Sequence, residues 1–149
     1  MLRQLIKLTN RRVVVFDLDK TLWDFTVECE HAGKLYVNTK PLLTTLRNDG
    51  YILAISSRGH LPDLSVHYMK HFGIWNFFDA DNIQIFPSGL DKDPPFNKYI
   101  CKEGHFANIM RNTNTTESDL LFIDDDEHIC KSMSRLTPNV KIIHTPFGV

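Results

Sequence analysis

The chain has 149 residues, of which 42% are hydrophobic and 23% are charged, and its formal net charge is −1. This length and composition favour one globular domain, residues 1–149, and argue against a disordered chain. The near-neutral charge gives no general attraction to nucleic acid, and no apolar run approaches the roughly 18 residues that a membrane helix needs.

Residues 1–12 are predicted to form an N-terminal arm, either a short helix or an irregular segment that leads into the first strand. The arm has no continuous apolar core and no small-residue cleavage site, which argues against a secretory signal. Cys29, Cys101 and Cys130 are odd in number and widely spaced, which favours reduced thiols over disulfides or a zinc site. We therefore expect a cytoplasmic protein with no membrane contact.

Val13–Phe16 is an uninterrupted apolar run, rich in β-branched residues, and predicts a strand buried on both faces of a parallel sheet. Asp17 and Asp19 follow it directly. Ligands of open α/β sheets bind at the carboxyl ends of the strands, so the active site is predicted here. The next residues, 24–38, lack clear periodicity and are interpreted as a loop or small hairpin that forms a flap over this site.

A helix is predicted to begin at Thr39, whose side chain can cap it, and to end at Asn48–Gly50. A second buried strand, Tyr51–Ile55, is followed by the donors Ser57 and Arg58, which suit a phosphate oxygen. The elements predicted after it are a helix over Pro62–His71, an aromatic core wall over Trp75–Phe78, a strand at Ile83–Phe86, an irregular loop at 87–97, a helix from Lys102, a strand at Leu120–Ile123, a helix through Ile129–Leu136 and a strand at Val140–His144.

Strands that alternate with helices predict right-handed βαβ units. The expected fold class is therefore α/β: a three-layer, Rossmann-like fold with a mainly parallel five-stranded sheet and helices on both faces. In such a sheet Asp17 and Asp19 lie at the same edge as Asp124 and Asp125, which follow the fourth strand. Carboxylates that converge repel one another unless a cation lies among them, and oxygen ligands alone favour Mg²⁺. Lys102 adds a positive charge to the same set.

These residues, in this order, resemble the motifs of the haloacid dehalogenase-like (HAD) phosphohydrolases. Residues 17–21, Asp-Leu-Asp-Lys-Thr, are similar to the first motif, Ser57 to the second, Lys102 to the third and Asp124–Asp125 to the acidic fourth. The Leu22–Trp23 pair is shared with the small, capless magnesium-dependent phosphatases of that superfamily. Two residues depart from the pattern: Lys20 stands where an aromatic residue or glycine is usual, and Asp126 is an additional acid.

The resemblance implies a phosphatase that works through an aspartyl-phosphate. Asp17 would be the nucleophile, Asp19 would give and then take a proton, and Lys102 would screen charge between nucleophile and phosphoryl group. The resemblance also assigns phosphate or substrate contacts to Thr21, Ser57 and Arg58, and Mg²⁺ ligation to Asp17, the Asp19 carbonyl and Asp125, with Asp124 as the alternative to Asp125.

The intervals 23–39 and 73–102 are too short for a folded cap domain of about 50 residues, so we expect no large cap and an open site. An open site admits a phosphorylated protein, including phosphotyrosine, or a small phosphate ester. One alternative is a nucleic-acid 3′-phosphatase, against which the near-neutral charge argues. Another is a non-catalytic phosphate acceptor, or a scaffold that docks a partner through Trp75–Phe78; neither requires Asp19. The oligomeric state stays open.

Overall fold

The protein is described by a computed structural model that covers residues 1–28, 32–85 and 102–149. The strands are β1 (Val13–Phe16), β2 (Ile52–Ser57), β3 (Ile83–Ile85), β4 (Leu120–Asp124) and β5 (Lys141–His144). The helices are α1 (Leu2–Thr9), α2 (Thr39–Asn48), α3 (Pro62–His71), α4 (Glu103–Thr113) and α5 (Glu127–Leu136). Short 3-10 helices cover Trp75–Phe77, Ala80–Asn82 and Glu117–Asp119.

The five strands form one sheet in the order β3-β2-β1-β4-β5, and every described pairing is parallel. β1 lies at the centre, where Val15 is in register with Ala54 of β2 and Phe122 of β4. All four residues of β1 are buried, as the apolar run predicts for a strand covered on both faces. The carboxyl ends of β1, β2 and β4 therefore meet at one edge of the sheet.

Alternate residues of β1 point to opposite faces and separate two hydrophobic cores. Val14 and Phe16 belong to the larger core, which also contains residues of α1, α2 and α3. Val13 and Val15 belong to the smaller core, which α4 and α5 cover. The three-layer α/β class with helices on both faces is confirmed, and the described residues include no large cap domain.

Some element boundaries differ from the expectation. β2 continues to Ser57, so Ser57 is part of this strand, whereas Arg58 follows it as expected. β5 begins at Lys141, one residue later than predicted. Residue 86 and the predicted loop 87–97 lie outside the described residues. The N-terminal arm contains the helix α1, which is one of the two forms expected for it. This helix is capped at its C-terminus by Asn10, whose backbone is in the left-handed conformation.

The predicted capping role of Thr39 is wrong. Asn38 occupies the N-cap position of α2, and no side chain makes a capping hydrogen bond there. The Thr39 hydroxyl instead donates to the carbonyl oxygen of Leu22 at 2.7 Å, inside the protein. Thr39 is fully buried, and a buried hydroxyl needs a hydrogen-bond partner inside the protein, which the Leu22 carbonyl supplies.

The aromatic segment Trp75–Phe78 packs against the larger core, as the core-wall interpretation predicts. Phe78 is buried, and Trp75 and Phe77 are partly buried against the same cluster. Among the helices of the described residues, none is long and apolar enough to cross a membrane.

Candidate active site

Asp17 begins the site, directly after β1. Its backbone N–H donates to the Ile123 carbonyl at 3.0 Å, which extends the strand pairing by one residue and fixes where the side chain emerges. The chain then turns, with the N–H groups of Thr21 and Leu22 both bonded to the Leu18 carbonyl. Lys20 adopts a left-handed conformation in this turn, with φ of 63°. The turn places Asp17 and Asp19 beside the ends of β2 and β4.

Lys102, the residue before α4, reaches the same place from the other side of the sheet. Its side chain is only 1% exposed, and its ammonium donates to three oxygens. These are Asp17 Oδ1 at 2.9 Å, Asp124 Oδ2 at 3.0 Å and the Ser56 carbonyl at 2.8 Å. An ammonium has three N–H donors, so Lys102 is fully engaged by the ends of three neighbouring strands.

Thr21 lies behind the carboxylates and joins two of them. Its hydroxyl oxygen is 3.0 Å from Asp17 Oδ2 and 3.0 Å from Asp125 Oδ1, and it accepts from the Asp125 backbone N–H at 3.1 Å. Thr21 is fully buried. In this arrangement the hydroxyl orients Asp17 and Asp125, and its predicted role as a phosphate ligand stays a prediction.

Three carboxylates are close enough to share a metal ion. Asp17, Asp124 and Asp125 each offer one oxygen, and these oxygens lie within 4.8 Å of one another. Hard oxygen donors of this kind fit Mg²⁺. The extra acid, Asp126, has a different role: its side chain caps α5 by accepting from the backbone N–H groups at 128 and 129.

The electrostatics of this cluster favour a further cation. Burial raises the pKa of Asp17 well above its usual value, against the attraction of Lys102. Burial also raises the pKa of Asp125, and the charge of Asp124 adds to that rise. Burial alone would lower the pKa of Lys102, but Asp17 and Asp124 outweigh it, and the pKa is raised. One ammonium therefore pairs with two of the three carboxylates, which leaves negative charge for a metal ion to neutralise.

Asp19 is half-buried near the mouth of the site. Burial raises the pKa of its carboxyl group, while hydrogen bonds from the Trp23 side chain and the Val27 backbone oppose the rise. The Trp23 indole Nε1–H donates to Asp19 Oδ1 at 2.8 Å. A raised carboxyl pKa suits a group that must give and accept a proton near neutral pH.

The described part of the predicted flap is a small antiparallel structure. Trp23 pairs with Leu35, and the backbone N–H of Asp24 donates to the Lys34 carbonyl. The Asp24 carboxylate accepts from the Lys34 backbone N–H in return. Lys20 anchors this structure, because its ammonium donates to the Asp24 carbonyl at 2.9 Å. The unusual cation of the first motif therefore contacts the flap.

A cavity of about 330 Å³ opens over these groups. Ser57 and Arg58 line it beside the carboxylates, and the Ser57 hydroxyl accepts from the Gly59 backbone N–H. Thr21 is the one predicted site residue that does not line this cavity. The lining residues are Asp17, Asp19, Lys20, Thr26, Val27, Glu28, Ser57, Arg58, Gly59, His60, Lys102, Asp124, Asp125, Asp126 and Ile129.

A larger groove, about 770 Å³, lies between α5 and β5. Its lining includes His128, Lys131 and His144, but no cluster of carboxylates converges on it. Size alone therefore does not identify the site; the convergence of charged groups does.

Two contacts of the site were not assigned a role from the sequence. His105 Nδ1 lies 2.8 Å from the buried Ser56 hydroxyl, next to the Ser56 carbonyl that binds Lys102. Burial lowers the pKa of His105 to about 3, so the ring is neutral. The second contact is that of Trp23 with Asp19. Spacing in the sequence was the one signal that could have indicated these two residues. His105 lies one helical turn after Lys102, and Trp23 lies four residues after Asp19.

Solved structures show the fold to be that of HAD-like hydrolases. SP0104, a haloacid dehalogenase-like family hydrolase from Streptococcus pneumoniae, has a TM-score of 0.67 at 16% identity over 94% of this chain and 88% of its own. A phosphatase-domain part of protein BF1531 from Bacteroides fragilis, complexed with Mg, has a TM-score of 0.61 at 18% identity. The match covers 91% of this chain but only 36% of that protein's chain.

A third structure is the cobalt-bound deoxy-D-mannose-octulosonate 8-phosphate phosphatase of Haemophilus influenzae, with a TM-score of 0.58 and 18% identity over 86% of this chain and 66% of its own. Residues 29–149 match the family described as acid phosphatase. The chain therefore belongs to the acid phosphatase family. The expected HAD phosphatase superfamily is confirmed, whereas the small capless subfamily stays a prediction. No curated protein matches the sequence.

Proposed function

We propose that this protein hydrolyses phosphate monoesters with Mg²⁺, through an aspartyl-phosphate on Asp17. One observation carries the proposal: Asp17 lies in an open cavity between the Lys102 ammonium and the carboxylates of Asp124 and Asp125. A nucleophile held between a fixed cation and a cation site suits attack on an anionic phosphoryl group, because both cations offset charge repulsion.

The residues fit a magnesium ion. Asp17, Asp125 and Asp124 would hold it, together with the backbone carbonyl of Asp19, and Asp125 is preferred over Asp124 as the direct ligand. Both Asp124 oxygens are already engaged, by Lys102 and by the Asp126 backbone N–H. The bound ion would supply positive charge to the phosphoryl oxygens. Magnesium in the Bacteroides fragilis phosphatase domain, a protein of the same fold, supports this choice.

In the first step a carboxylate oxygen of Asp17 attacks phosphorus, and the bond from phosphorus to the ester oxygen breaks. Asp19 gives its proton to the departing oxygen, so the alcohol or phenol leaves neutral. The raised pKa of Asp19 favours the protonated form that this step needs. The products are an acyl phosphate on Asp17 and an ionised Asp19.

In the second step Asp19 takes a proton from water, and the water oxygen attacks phosphorus. The bond from phosphorus to Asp17 breaks, which releases inorganic phosphate and restores the carboxylate. The proton taken from water stays on Asp19, so Asp17 and Asp19 both return to their starting states.

The remaining residues position charge and substrate. Lys102 holds Asp17 and lines the cavity, so its positive charge reduces the repulsion between the anionic nucleophile and the anionic phosphoryl group. Ser57 and Arg58 line the cavity as phosphate or substrate contacts. Thr21 orients the Asp17 carboxylate, and its hydroxyl can bind phosphate only after it gives up that hydrogen bond.

The proposed substrates are phosphorylated protein side chains, including phosphotyrosine, or small phosphate esters. Among the described residues, the flap residues 26–28 border the cavity and no cap domain covers it, which supports a phosphoryl group presented on a larger molecule. We also propose that residues 1–149 form one capless phosphatase domain of the small magnesium-dependent type. A nucleic-acid end is the lesser alternative, since the net charge is −1.

The test is hydrolysis of p-nitrophenyl phosphate with Mg²⁺, with EDTA, and by Asp17→Asn. We expect activity that EDTA abolishes and that Asp17→Asn reduces by at least about a thousandfold. Asp49→Asn is the matched control, because Asp49 is a surface acid paired with Arg3. Mass spectrometry of the quenched enzyme should place one phosphoryl group on Asp17. Activity that survives Asp17→Asn would contradict the proposal.

A further inference from the structure

The carboxylate of Asp19 is held by the residue that follows it one turn later. Trp23 donates its indole N–H to Asp19 Oδ1 at 2.8 Å, and the Val27 backbone N–H is a second donor to the same carboxylate. The Trp23 ring is fully buried. A buried donor with one acceptor keeps that acceptor in a fixed orientation, because losing the bond would leave the indole N–H unpaired.

The Trp23 ring is itself fixed by an aromatic cage. Phe25, from the flap, stacks on it with a centroid distance of 5.1 Å and an interplanar angle of 20°. Phe72 and Tyr68 of the α3 region close the cage at 6.0 and 6.3 Å. Contacts on several sides leave the indole one orientation, in which its N–H points at Asp19.

The backbone strengthens the same arrangement. Trp23 pairs with Asp19 across a parallel bridge and with Leu35 across an antiparallel bridge. The ring, the flap and the half-buried acid are therefore connected through one residue. Asp19 also lines the cavity of about 330 Å³, so the restraint from Trp23 acts on a carboxyl group that borders the open site.

We propose that Trp23 is a positioning residue that orients Asp19 for both proton transfers, an inference that rests on the proposed phosphatase reaction. The indole bond limits rotation of the Asp19 carboxyl group. The carboxyl group then meets the departing ester oxygen in the first step and the attacking water in the second. Trp23 itself touches neither.

The dependence on leaving group separates this role from a purely structural one. An alkoxide is a poor leaving group, so an alkyl phosphate needs the Asp19 proton in the first step. The p-nitrophenolate ion leaves without it. Loss of orientation should therefore lower kcat/KM for an alkyl phosphate and spare kcat/KM for p-nitrophenyl phosphate. Hydrolysis of the intermediate needs Asp19 with either substrate, so kcat and KM for p-nitrophenyl phosphate should fall together.

The sharpest variant replaces Trp23 with benzothienylalanine, which keeps the ring shape and substitutes sulfur for the N–H. Trp23→Phe is the encoded variant. Phe72→Leu is the matched control, because it removes a ring of the same cage without touching the hydrogen bond. We expect both Trp23 replacements to lower kcat/KM for phenethyl phosphate by about tenfold relative to p-nitrophenyl phosphate, a small part of what a general acid supplies. Phe72→Leu should keep the wild-type ratio.

Equal losses on the two substrates, or the same altered ratio in Phe72→Leu, would overturn the role of Trp23. Asp17→Asn separates this failure from failure of the phosphatase reaction. If Asp17→Asn is inactive but the Trp23 replacements keep the wild-type ratio, only the positioning role fails. If Asp17→Asn stays active, the proposed function fails and the positioning role fails with it.

Discussion

The Nζ atom of Lys102 lies 2.9 Å from Oδ1 of Asp17, although 85 residues separate them in the sequence. Both side chains are almost completely buried, at 1% and 12% exposure. The same ammonium neutralises Asp124 at 3.0 Å. Burial of charge is tolerable only where the charges are paired and fully hydrogen-bonded, so Lys102 holds together the ends of the two central strands.

Removal of this ammonium by Lys102→Met should affect both stability and rate. Asp17 and Asp124 would be left buried without their counter-charge, which costs about 3–5 kcal/mol. We expect a loss of that size in the free energy of unfolding, measured by urea denaturation in EDTA, and a fall in kcat of at least about a hundredfold. Mg²⁺ should restore part of the stability but little of the rate, because it supplies positive charge but not the N–H donors with which Lys102 holds Asp17 and Asp124.

The control is Lys131→Met. Lys131 pairs with Glu127 one helical turn away on the surface of α5, where both side chains are more than half exposed. Surface pairs of this kind contribute about 0.3–0.5 kcal/mol. A Lys102→Met protein as stable and active as Lys131→Met would show that the buried ammonium is dispensable.

The acids after β4 should separate into a metal ligand and a helix cap. Asp125→Asn should weaken Mg²⁺ binding by at least about tenfold, since even changes to groups outside the ligand shell cost that much. Asp126→Asn should leave Mg²⁺ affinity unchanged, because asparagine also caps the backbone N–H groups at the start of α5. Titration calorimetry with Mg²⁺ measures both. Equal losses in the two variants would place Asp126 in the metal site.

The fold could be predicted from the sequence because its central strands carry an unambiguous signal. β1 has four apolar residues in succession, and such a run is stable only when both faces are covered. The end of β2 gave no such signal: Ser56 and Ser57 are polar yet belong to the strand. The buried hydroxyl of Ser56 is paired with His105 of α4, a partner that no local pattern reveals.

The site could be predicted as a set of residues but not as a set of contacts. Asp17 and Asp125 were expected to converge because parallel strands share an edge, and they do. Lys102 taken by itself would be expected in solvent, and only the carboxylates of β1 and β4 explain its burial. The bond from Trp23 to Asp19 was missed because a tryptophan in an apolar setting predicts packing first.

Thr21 offers a test of orientation against phosphate binding. Thr21→Val keeps the shape of the side chain but removes the hydroxyl that lies 3.0 Å from Asp17. If the hydroxyl orients the nucleophile, kcat should fall by about tenfold, or about 1.4 kcal/mol of barrier, with the inhibition constant of inorganic phosphate unchanged. Thr21→Ser should retain the wild-type kcat. Weaker inhibition by phosphate with unchanged kcat would instead identify Thr21 as a phosphate ligand.

His105 should make the stability of the protein depend on pH. Burial lowers the pKa of its imidazole from an ordinary value of 6.5 to about 3. At a pH between these two pKa values, His105 is protonated in the unfolded chain but neutral in the folded protein. The free energy of unfolding therefore decreases as the pH falls from 6.5 towards 3. Each pKa unit corresponds to about 1.4 kcal/mol, and the loss should appear in urea denaturation between pH 7 and pH 4.5.

The variant that isolates this contribution is His105→Asn. The asparagine amide can replace Nδ1 as the partner of the Ser56 hydroxyl but takes up no proton, so the decline in stability below pH 6.5 should become shallower than in the wild type. His67→Asn on the exposed surface of α3 is the control and should keep the wild-type decline. A His105→Asn protein whose stability falls with acid as steeply as the wild type would contradict a buried, neutral His105.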